Sequence, residues 1–545
     1  MATANAQWTS NNMINTPVRA GSGVDAATPL MASVYDGSTY VSWFDAQPGG
    51  YQLRMQRLDA QGYSQWATEG LLISDHPQNS ALFRYDLQVD NDGNAIVAFQ
   101  DERTGQLDIV VYKVGPDGAL LWGTDGIALT ALGSVQGLAP VIGVLTSNDV
   151  VIAWSANDGG SDRWIPLQKI SADGFVQWAS PQLVGGDVNC SRPQLLRTLT
   201  GGFLLQYVEE TGNFPFTSDL YAQRYTSDGT AVWPEATHVS TKTIPFFHFP
   251  QPTTDGADGF YLAFNTGNPE NQSLSDVYLQ RVYDDGHVWD PEGTRLITGT
   301  TTQRFNGQAR LLNEFMGTMV AVEFTDISQS TGGLLVQRVD PTGVVQMGAG
   351  GIELVPLSDA LPRLAGSAHD SSSLWIAYTD GGSGSQRVKA YRCYAAGWPL
   401  WSPAVMELCA VNSTKTDPAC GQVRNDQFVA VWQDDRANGG LFAQNITSEG
   451  LLGIATGLPV QANASAAAVY VLDADMNGVD LSLRGFSPGP SVIRLIDAQG
   501  RLISQQTVAI AGGDHRVGLR GCPVGAYVVE VIGSTGLVRV PFISH

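Results

Sequence analysis

Apolar residues recur along this chain in short runs that are typical of β-strands rather than of helices. One such run ends in an aromatic residue and returns about every fifty-five residues, eight times in all. The aromatic residues are Trp43, Phe99, Trp154, Tyr207, Phe264, Phe324, Tyr378 and Trp432. A turn glycine follows each run, at positions Gly62, Gly118, Gly174, Gly229, Gly286, Gly343, Gly397 and Gly450. A fixed period of this length predicts supersecondary units that bury their faces only against neighbouring units.

The second repeat shows what one unit contains. Tyr85–Asp90 reads as a first strand, and the Asn-Asp-Gly turn after it leads into the apolar strand Ala95–Gln100. Leu107–Val114 and Leu120–Leu129 supply a third and an outer strand. Four antiparallel strands repeated around an axis predict an all-β, eight-bladed β-propeller, because ring closure protects the sheet edges. An open solenoid is the alternative.

The tryptophans indicate how the ring closes. Six repeats have one shortly after the turn glycine, at Trp66, Trp122, Trp178, Trp233, Trp289 and Trp401, but the eighth has none. Trp8 instead stands one period before Trp66. We therefore expect residues 7–18 to close blade eight of a propeller spanning residues 1–457, unless this N-terminal arm packs elsewhere. A linker over 458–468 and a small C-terminal β-sandwich over 469–545 complete the predicted organisation.

The C-terminal part of the chain contains two sequence motifs that do not belong to the repeat. One is an Asp-x-x-Gly-Arg-Leu turn, with Asp497, Gly500 and Arg501, and the other contains Gly525 and Tyr527 in Pro-x-Gly-x-Tyr-x-x-x-Val. Their order and position resemble the C-terminal sorting domain of cargo of the bacterial type IX secretion system. The resemblance implies a β-sandwich, and the type IX machinery as a partner. A plain accessory β-sandwich is the alternative.

Composition narrows the classes of function. The net charge of −22 argues against nucleic acid as a partner, since phosphate backbones require a basic face. No apolar stretch is long enough for a membrane span. Ala4-Asn5-Ala6 resembles the small residues before a signal cleavage site, so we expect export through the periplasm to the medium or the outer cell surface. We also expect the protein to be a monomer. Among five cysteines, Cys409 and Cys420 could form a local bridge if their strands pair.

Acidic residues recur two positions beyond the repeat aromatics. They are Asp45, Asp101, Glu209, Asp326, Asp380 and Asp434, while Ala156 and Thr266 occupy the other two positions. On one face of a ring these carboxylates could concentrate negative potential or bind a hard cation. The interpretation we favour is structural, because loop aspartates commonly accept backbone N–H bonds and a catalytic site breaks symmetry.

The most irregular segment joins the fourth and fifth repeats. Phe246, Phe247, His248 and Phe249 lie between two prolines there and form our candidate ligand-binding loop, with a plug of the central channel as the alternative. The longest insertions, Thr211–Ser218 and Gly267–Ser275, belong to the same two repeats. This asymmetry indicates the functional side of the ring.

Two functions remain open at this point. The first is an exported or surface-bound binding and scaffold module, with a glycan or a surface protein as ligand. The second is a polysaccharide lyase or glycosidase, although the sequence offers no distinguished pair of carboxylates. We predict no cofactor and no metal; a calcium site at Asp90–Asn94 is the alternative, but a hairpin turn explains that segment fully.

Overall fold

A computed structural model shows an all-β chain that divides into two compact units, residues 1–454 and 455–545. The residues it describes are 7–21, 25–76, 78, 84–129, 135–160, 162–212, 216–246, 248–313, 315–436, 439–453, 468–475, 478–484, 486, 489–497, 501–510, 515–520, 523, 525–533 and 536–544. Within these residues there is no helix long and apolar enough to cross a membrane.

The first unit consists of eight four-stranded antiparallel sheets, which confirms the predicted eight-bladed propeller. Sheets one to four contain β2 (Ala26–Ser33), β3 (Thr39–Gln47), β4 (Gly50–Leu58) and β5 (Leu71–Ser74); β6 (Asp86–Val89), β7 (Ala95–Asp101), β8 (Asp108–Val114) and β9 (Ile127–Ala128); β10 (Gln136–Val144), β11 (Val150–Asn157), β12 (Arg163–Ile170) and β13 (Gln182–Gly185); and β14 (Asn189–Arg197), β15 (Phe203–Thr211), β16 (Thr217–Tyr225) and β17 (Thr237–Ser240). Sheets five to seven contain β18 (Pro252–Thr254), β19 (Phe260–Gly267), β20 (Ser275–Val282) and β21 (Thr294–Arg295); β22 (Thr302–Asn313), β23 (Gly317–Asp326), β24 (Gly332–Val339) and β25 (Ile352–Ser358); and β26 (Arg363–His369), β27 (Ser373–Asp380), β28 (Gln386–Tyr394) and β29 (Val405–Ser413). Sheet eight contains β30 (Lys415–Cys420), β31 (Gln427–Asp434), β32 (Gly440–Thr447) and, from the start of the chain, β1 (Thr16–Ala20).

The first strand of every sheet faces the ring axis. β2, β6, β10, β14, β18, β22, β26 and β30 each contact the next in this order, and β30 contacts β2. The second strands are buried on both faces, as their uninterrupted apolar sequence requires. The hydrophobic core is consequently divided into layers between adjacent sheets, such as the layer of Phe44, Tyr85 and Phe99 between sheets one and two.

The N-terminal segment completes sheet eight. β1 pairs with β32, with Thr16 opposite Ala443 and Ala20 opposite Gly440. Trp8 is buried between sheets eight and one, and its indole N–H donates to the Ala60 carbonyl at 3.0 Å. The two ends of the propeller are therefore joined by noncovalent contacts of residues 7–20.

The contact made by Trp8 repeats around the ring. Five tryptophans each donate their indole N–H to a carbonyl in the turn that follows the third strand of the next sheet: Trp8 to Ala60, Trp122 to Ala172, Trp233 to Asp284, Trp289 to Pro341 and Trp401 to Ser448. The glycine of that turn lies against the indole ring of the tryptophan. A Cβ on Gly62 would lie 2.5 Å from the Trp8 ring, and one on Gly174 would lie 2.6 Å from the Trp122 ring. The regular glycines and tryptophans of the sequence are thus two halves of one contact.

The Gln-Arg pair on several third strands supports the same contact. The buried Gln223 side chain donates to the Trp233 carbonyl at 3.2 Å and accepts the Trp233 N–H at 3.3 Å, which fixes the tryptophan backbone. The neighbouring Arg224 donates to the Asp284 carbonyl, the same oxygen that Trp233 binds. In this pair, Gln223 therefore fixes the tryptophan and Arg224 reaches the next sheet.

The second unit consists of two sheets. One has the order β33 (Ala468–Asp475), β34 (Gly478–Arg484) and β37 (His515–Arg520). The other has the order β36 (Leu502–Ile510), β35 (Gly489–Asp497), β38 (Gly525–Gly533) and β39 (Gly536–Ser544). Both sheets contribute to one core, which includes Leu481, Leu483, Ile493, Leu495 and Val529, so this unit is the predicted small β-sandwich.

The cysteines do not form the bridge considered above. Cys409 lies on β29 of sheet seven and Cys420 on β30 of sheet eight, so the two residues lie on strands of different sheets and both thiols are free. Cys190 and Cys393 are also free and buried, and burial raises the pKa of the Cys393 thiol to about 12.

Replacing Trp8 with alanine should destabilise the propeller, because it removes the buried ring that joins sheets eight and one. Large aromatic-to-alanine changes in a core cost roughly 3–5 kcal/mol. Thermal unfolding followed by circular dichroism would measure the loss. Met13→Ala is the matched control, since Met13 lies in the same segment with 56% of its surface exposed. Equal melting temperatures for both variants would contradict the role of Trp8 in closure.

Candidate functional site

A cavity of about 500 Å³ interrupts the symmetry of the ring between sheets two and five. Its lining residues are Arg84, Leu138, Ala139, Ser155, Ala156, Asn157, Arg163, Ser191, Arg192, Glu210, Phe246 and Phe249. They come from the starts of first and third strands, the ends of second strands and the connection between sheets four and five. Because strands alternate in direction, this is the end of the ring opposite the tryptophan contacts.

β-Bulges in the inner strands shape this end of the ring. The pairing of β14 with β15 shifts between Ser191 and Gln194, and Arg192 within the shift has a φ of +55°. The pairing of β10 with β11 shifts in the same way around Ala139, whose φ is +50°. Bulges redirect side chains at the cost of backbone strain, and both of these residues line the cavity.

Arg192 fixes the loop that contains the candidate aromatic residues. Its guanidinium donates to three carbonyls of that loop: Pro245 at 3.3 Å, Phe246 at 2.6 Å and His248 at 3.0 Å. The other terminal nitrogen donates to Glu210 Oε1 at 2.8 Å and to Ser218 Oγ at 3.0 Å. Arg192 is 6% exposed, so these contacts are largely shielded from water. Arg192 therefore holds the backbone of this loop at Pro245, Phe246 and His248.

Glu210 connects two arginines of the cavity. Its Oε1 accepts from Arg192 and its Oε2 from Arg163, and only 4% of the residue is exposed. Arg163 also lies over the Phe216 ring at 5.3 Å. Among the described residues that line the cavity, Glu210 is the one carboxylate, and both of its oxygens are occupied.

Arg84 enters the cavity from sheet two. Its guanidinium carbon lies 3.9 Å from the centre of the Phe249 ring, a cation–π contact across the inner end of the ring. The side chain reaches solvent through the cavity, while the surrounding protein lowers the pKa of its guanidinium through burial. Arg84 forms no ion pair with any residue that the structure describes.

His248 is held in its neutral form. Its Nε2 accepts the Asn265 backbone N–H at 3.1 Å, which leaves the ring proton on Nδ1. Burial, followed by the charges of Arg192 and Arg84, lowers the pKa of His248 to about 4. Its one free lone pair is used in this contact, so His248 anchors the loop to sheet five.

The predicted ring-face carboxylates lie outside the cavity lining, and five of the six are engaged locally. Four have lysine or arginine partners: Asp45 with Arg19 and Arg54, Asp101 with Arg103, Asp380 with Lys389, and Asp434 with Lys415 and Arg436. Asp326 accepts the Thr331 N–H at 2.7 Å and bonds from two serine hydroxyls, which hold the pKa of its carboxyl well below its usual range. Burial and the nearby Asp219 raise the pKa of Glu209.

The other predicted site residues divide as follows. Phe247 and Gly500 lie outside the described residues. Phe246 and Phe249 are half-buried and line the cavity, whereas His248 is half-buried and is not part of the lining. In the Asp90–Asn94 turn, the Asp90 carboxylate accepts the Asn94 N–H at 2.9 Å and the Lys113 ammonium at 2.9 Å. No group of three or more His, Cys, Asp or Glu side chains within the described ranges has the arrangement of a metal site.

Sequence reasoning did not identify Arg84, Arg163, Arg192 or Glu210. These residues are far apart in the chain, and Glu210 directly follows Glu209, one of the predicted ring-face carboxylates. One sequence signal accompanies three residues of the cavity. A proline follows the bulge residue in Ala139-Pro140 and Arg192-Pro193, and a proline also follows Phe249. Ala156, one of the two non-acidic exceptions, also lines the cavity.

Comparisons with known proteins leave the activity open. No family model matches this chain, and no curated protein matches its sequence. In structure it is similar to an ulvan lyase from a new family of polysaccharide lyases (12% identity, 80% of this chain and 97% of that chain, TM-score 0.45), and to the WD40 domain of SCAP from fission yeast (10% identity, 80% and 97%, TM-score 0.42). It is also similar to an α-L-arabinanase of Penicillium chrysogenum (11% identity, 72% and 99%, TM-score 0.32). Likenesses this weak assign neither a ligand nor a reaction to this chain.

Acidification should destabilise the propeller through His248. In the unfolded chain a histidine takes up a proton near pH 6.5, while the folded His248 stays neutral until about pH 4. Stability is therefore complete above the unfolded pKa and is lost as the pH falls through that window, by at most roughly 3 kcal/mol. His248→Gln keeps an acceptor for Asn265 and should reduce the loss.

The measurement compares denaturant unfolding of wild type and His248→Gln at neutral pH and at about pH 4.5. His238→Gln, which changes an exposed histidine, is the control. If all three proteins lost the same stability on acidification, His248 would not be the group that titrates.

Proposed function

We propose that this chain is an exported, carbohydrate-binding β-propeller whose ligand lies in the cavity between sheets two and five. One observation carries the proposal: the cavity gathers two half-buried aromatic rings, Phe246 and Phe249, among side chains that donate hydrogen bonds. Its volume of about 500 Å³ falls within the range of small-ligand sites, roughly 300–1,000 Å³. Aromatic faces with polar groups around them suit a sugar, which is apolar on its C–H faces and polar at its hydroxyls.

The organisation of the loop supports binding by a preformed site. Arg192 and His248 hold the Phe246–Phe249 loop through backbone contacts, so the rings are positioned before a ligand arrives. A site fixed in advance loses less conformational entropy on binding than a mobile one. Loops that a rigid scaffold positions are also where proteins commonly bind their ligands.

The same geometry favours binding over catalysis. Glycoside hydrolysis needs two carboxyl groups across one bond, and the described cavity lining offers Glu210 alone, with both oxygens bound to arginines. A lyase needs a base within reach of a substrate proton, and the lone pair of His248 is engaged with Asn265. We therefore place the lyase or glycosidase hypothesis second.

For the C-terminal unit we propose a role in export through the type IX secretion system. The resemblance of its two sequence phrases is the basis of this proposal. The Asp497 carboxylate accepts the Arg501 N–H at 2.9 Å and its side-chain Nε–H at 2.7 Å, so these two residues of the motif are joined where β35 ends. Tyr527 donates to the Pro523 carbonyl at 2.9 Å, which connects β38 to the segment before it. Both phrases thus contribute defined local structure.

Phe246→Ala should weaken glycan binding about tenfold, the equivalent of about 1.4 kcal/mol. A glycan array probed with residues 1–454 would first identify the ligands, and calorimetric titration would compare the variants. Phe175→Ala is the matched control, because Phe175 is a phenylalanine with 69% of its surface exposed in a turn at the other end of the ring. No bound glycan on the array, or equal affinities for the two variants, would contradict the carbohydrate proposal.

Removing residues 455–545 should abolish appearance of the propeller in the medium and on the cell surface, and leave it in the periplasm. The assay compares full-length and truncated chains, both behind one signal peptide, in a bacterium with the type IX machinery. A matched strain without that machinery is the control, in which the full-length chain should also stay in the periplasm. Equal export of the two chains would reject a sorting role.

A further inference from the structure

The charge of the cavity is opposite to that of the whole chain. The chain has a net charge of −22, with 52 acidic residues against 30 lysines and arginines. The cavity lining nevertheless contains Arg84, Arg163 and Arg192 with Glu210 as the one carboxylate among the described residues. An excess of positive charge in this concave region is therefore a local property of the site and not of the surface around it.

The three arginines differ in how much of their binding capacity is used. Arg192 is committed to the loop carbonyls, Glu210 and Ser218, as described above. Arg163 uses one terminal nitrogen on Glu210 and leaves its other donors without a protein partner among the described residues. The guanidinium carbon of Arg84 lies 3.9 Å from the centre of the Phe249 ring. This cation–π contact uses no hydrogen-bond acceptor, and no residue that the structure describes forms an ion pair with Arg84.

Arg84 is a cation that a ligand can reach. Its side chain is solvent-exposed at the cavity, and although the surrounding protein lowers the pKa of its guanidinium, the group stays protonated at any physiological pH. An exposed ion pair contributes little by itself, whereas one formed in a concave site through paired hydrogen bonds contributes more. Within the described residues no carboxylate pairs with Arg84, so its charge is available to an anionic ligand.

We propose that the ligand bears an acidic group, a carboxylate or a sulfate on a sugar residue, and that Arg84 binds it together with the free donors of Arg163. This inference rests on the proposed carbohydrate function and specifies the class of sugar. The guanidinium edge presents two parallel N–H donors that match the two oxygens of either group. Phe249 contacts this arginine, and Phe246 lines the same cavity. A neutral sugar would leave the excess charge of the cavity unbalanced.

The test measures the NMR signals of the arginine side chains during a titration. Protein labelled with ¹⁵N-arginine is titrated with glucuronate, with glucose 6-sulfate and with neutral glucose, each to about 50 mM, since single sugars commonly bind in the millimolar range. The Arg84 Nε–H signal is assigned by its absence in Arg84→Gln. We expect this signal to shift and saturate with glucuronate, with the sulfate, or with both, and to stay unchanged with glucose.

Two variants and one control sharpen the result. Arg84→Gln should weaken binding of the responding anion at least tenfold, while Arg84→Lys, which keeps the charge but loses the paired donors, should fall between it and wild type. Arg197→Gln, which changes an exposed arginine outside the cavity lining, should bind as wild type does. Melting temperatures establish that each variant is folded before it is titrated.

The outcomes separate this inference from the function on which it rests. A response to glucuronate alone assigns a uronic acid, and a response to the sulfate alone assigns a sulfated sugar. No saturable shift of Arg84 with either anion, an equal shift with glucose, or undiminished binding by Arg84→Gln would overturn the inference. Glycans that bind on the array and depend on Phe246 but not on Arg84 would overturn it while leaving the carbohydrate proposal intact. No glycan bound on the array, together with no saturable response to any of the three sugars, would reject the carbohydrate proposal as well.

Discussion

The ring depends on one repeated contact, in which a tryptophan of one sheet closes on a glycine turn of the next. The indole N–H of Trp233, for example, donates to the Asp284 carbonyl, and Arg224 donates to the same oxygen. Because the turn glycine has no side chain, the indole ring approaches the turn to van der Waals distance. The indole then excludes water from that hydrogen bond, which strengthens the bond. Because every sheet contacts only its neighbours, the ring needs this contact at its seam as well, and Trp8 supplies it.

The tryptophan contacts hold the sheets together at one end of the ring, so residues at the opposite end are free to depart from the repeat. The bulge at Arg192 places a non-glycine residue at a φ of +55°, a conformation that costs of the order of 1–2 kcal/mol. Hydrogen bonds from its guanidinium to three carbonyls and to the Glu210 carboxylate offset that cost. The strained residue and the loop that it binds therefore stabilise each other. The Phe246–Phe249 loop keeps its position because it satisfies a buried cation.

The sequence predicted the parts of the molecule that repeat. Trp66 and Gly118 identify one contact, and its recurrence reveals the number of sheets. The outer strands were predicted less well, since Leu120–Leu129 reads as one strand while only Ile127–Ala128 pairs as β9. An outer strand has a neighbour on one side alone, so its apolar residues pack between sheets without needing a continuous ladder. The aromatic loop was found because it breaks the repeat, whereas Arg84 and Arg163 converge from different sheets, a relation that only the folded chain establishes.

The contrast between an acidic surface and a cationic cavity restricts what can occupy the site. A net charge of −22 repels polyanions at a distance, but salt screens that repulsion beyond a length of about 8–10 Å. Inside the cavity the guanidinium groups act at contact distance, where screening is weak and a paired hydrogen bond adds to the charge attraction. A polyanion that reaches only the acidic surface would therefore gain nothing, while the proposed ligand would gain from placing one acidic group beside the arginines. The shape of this part of the cavity is set by the bulges of sheets three and four and by the connection to sheet five.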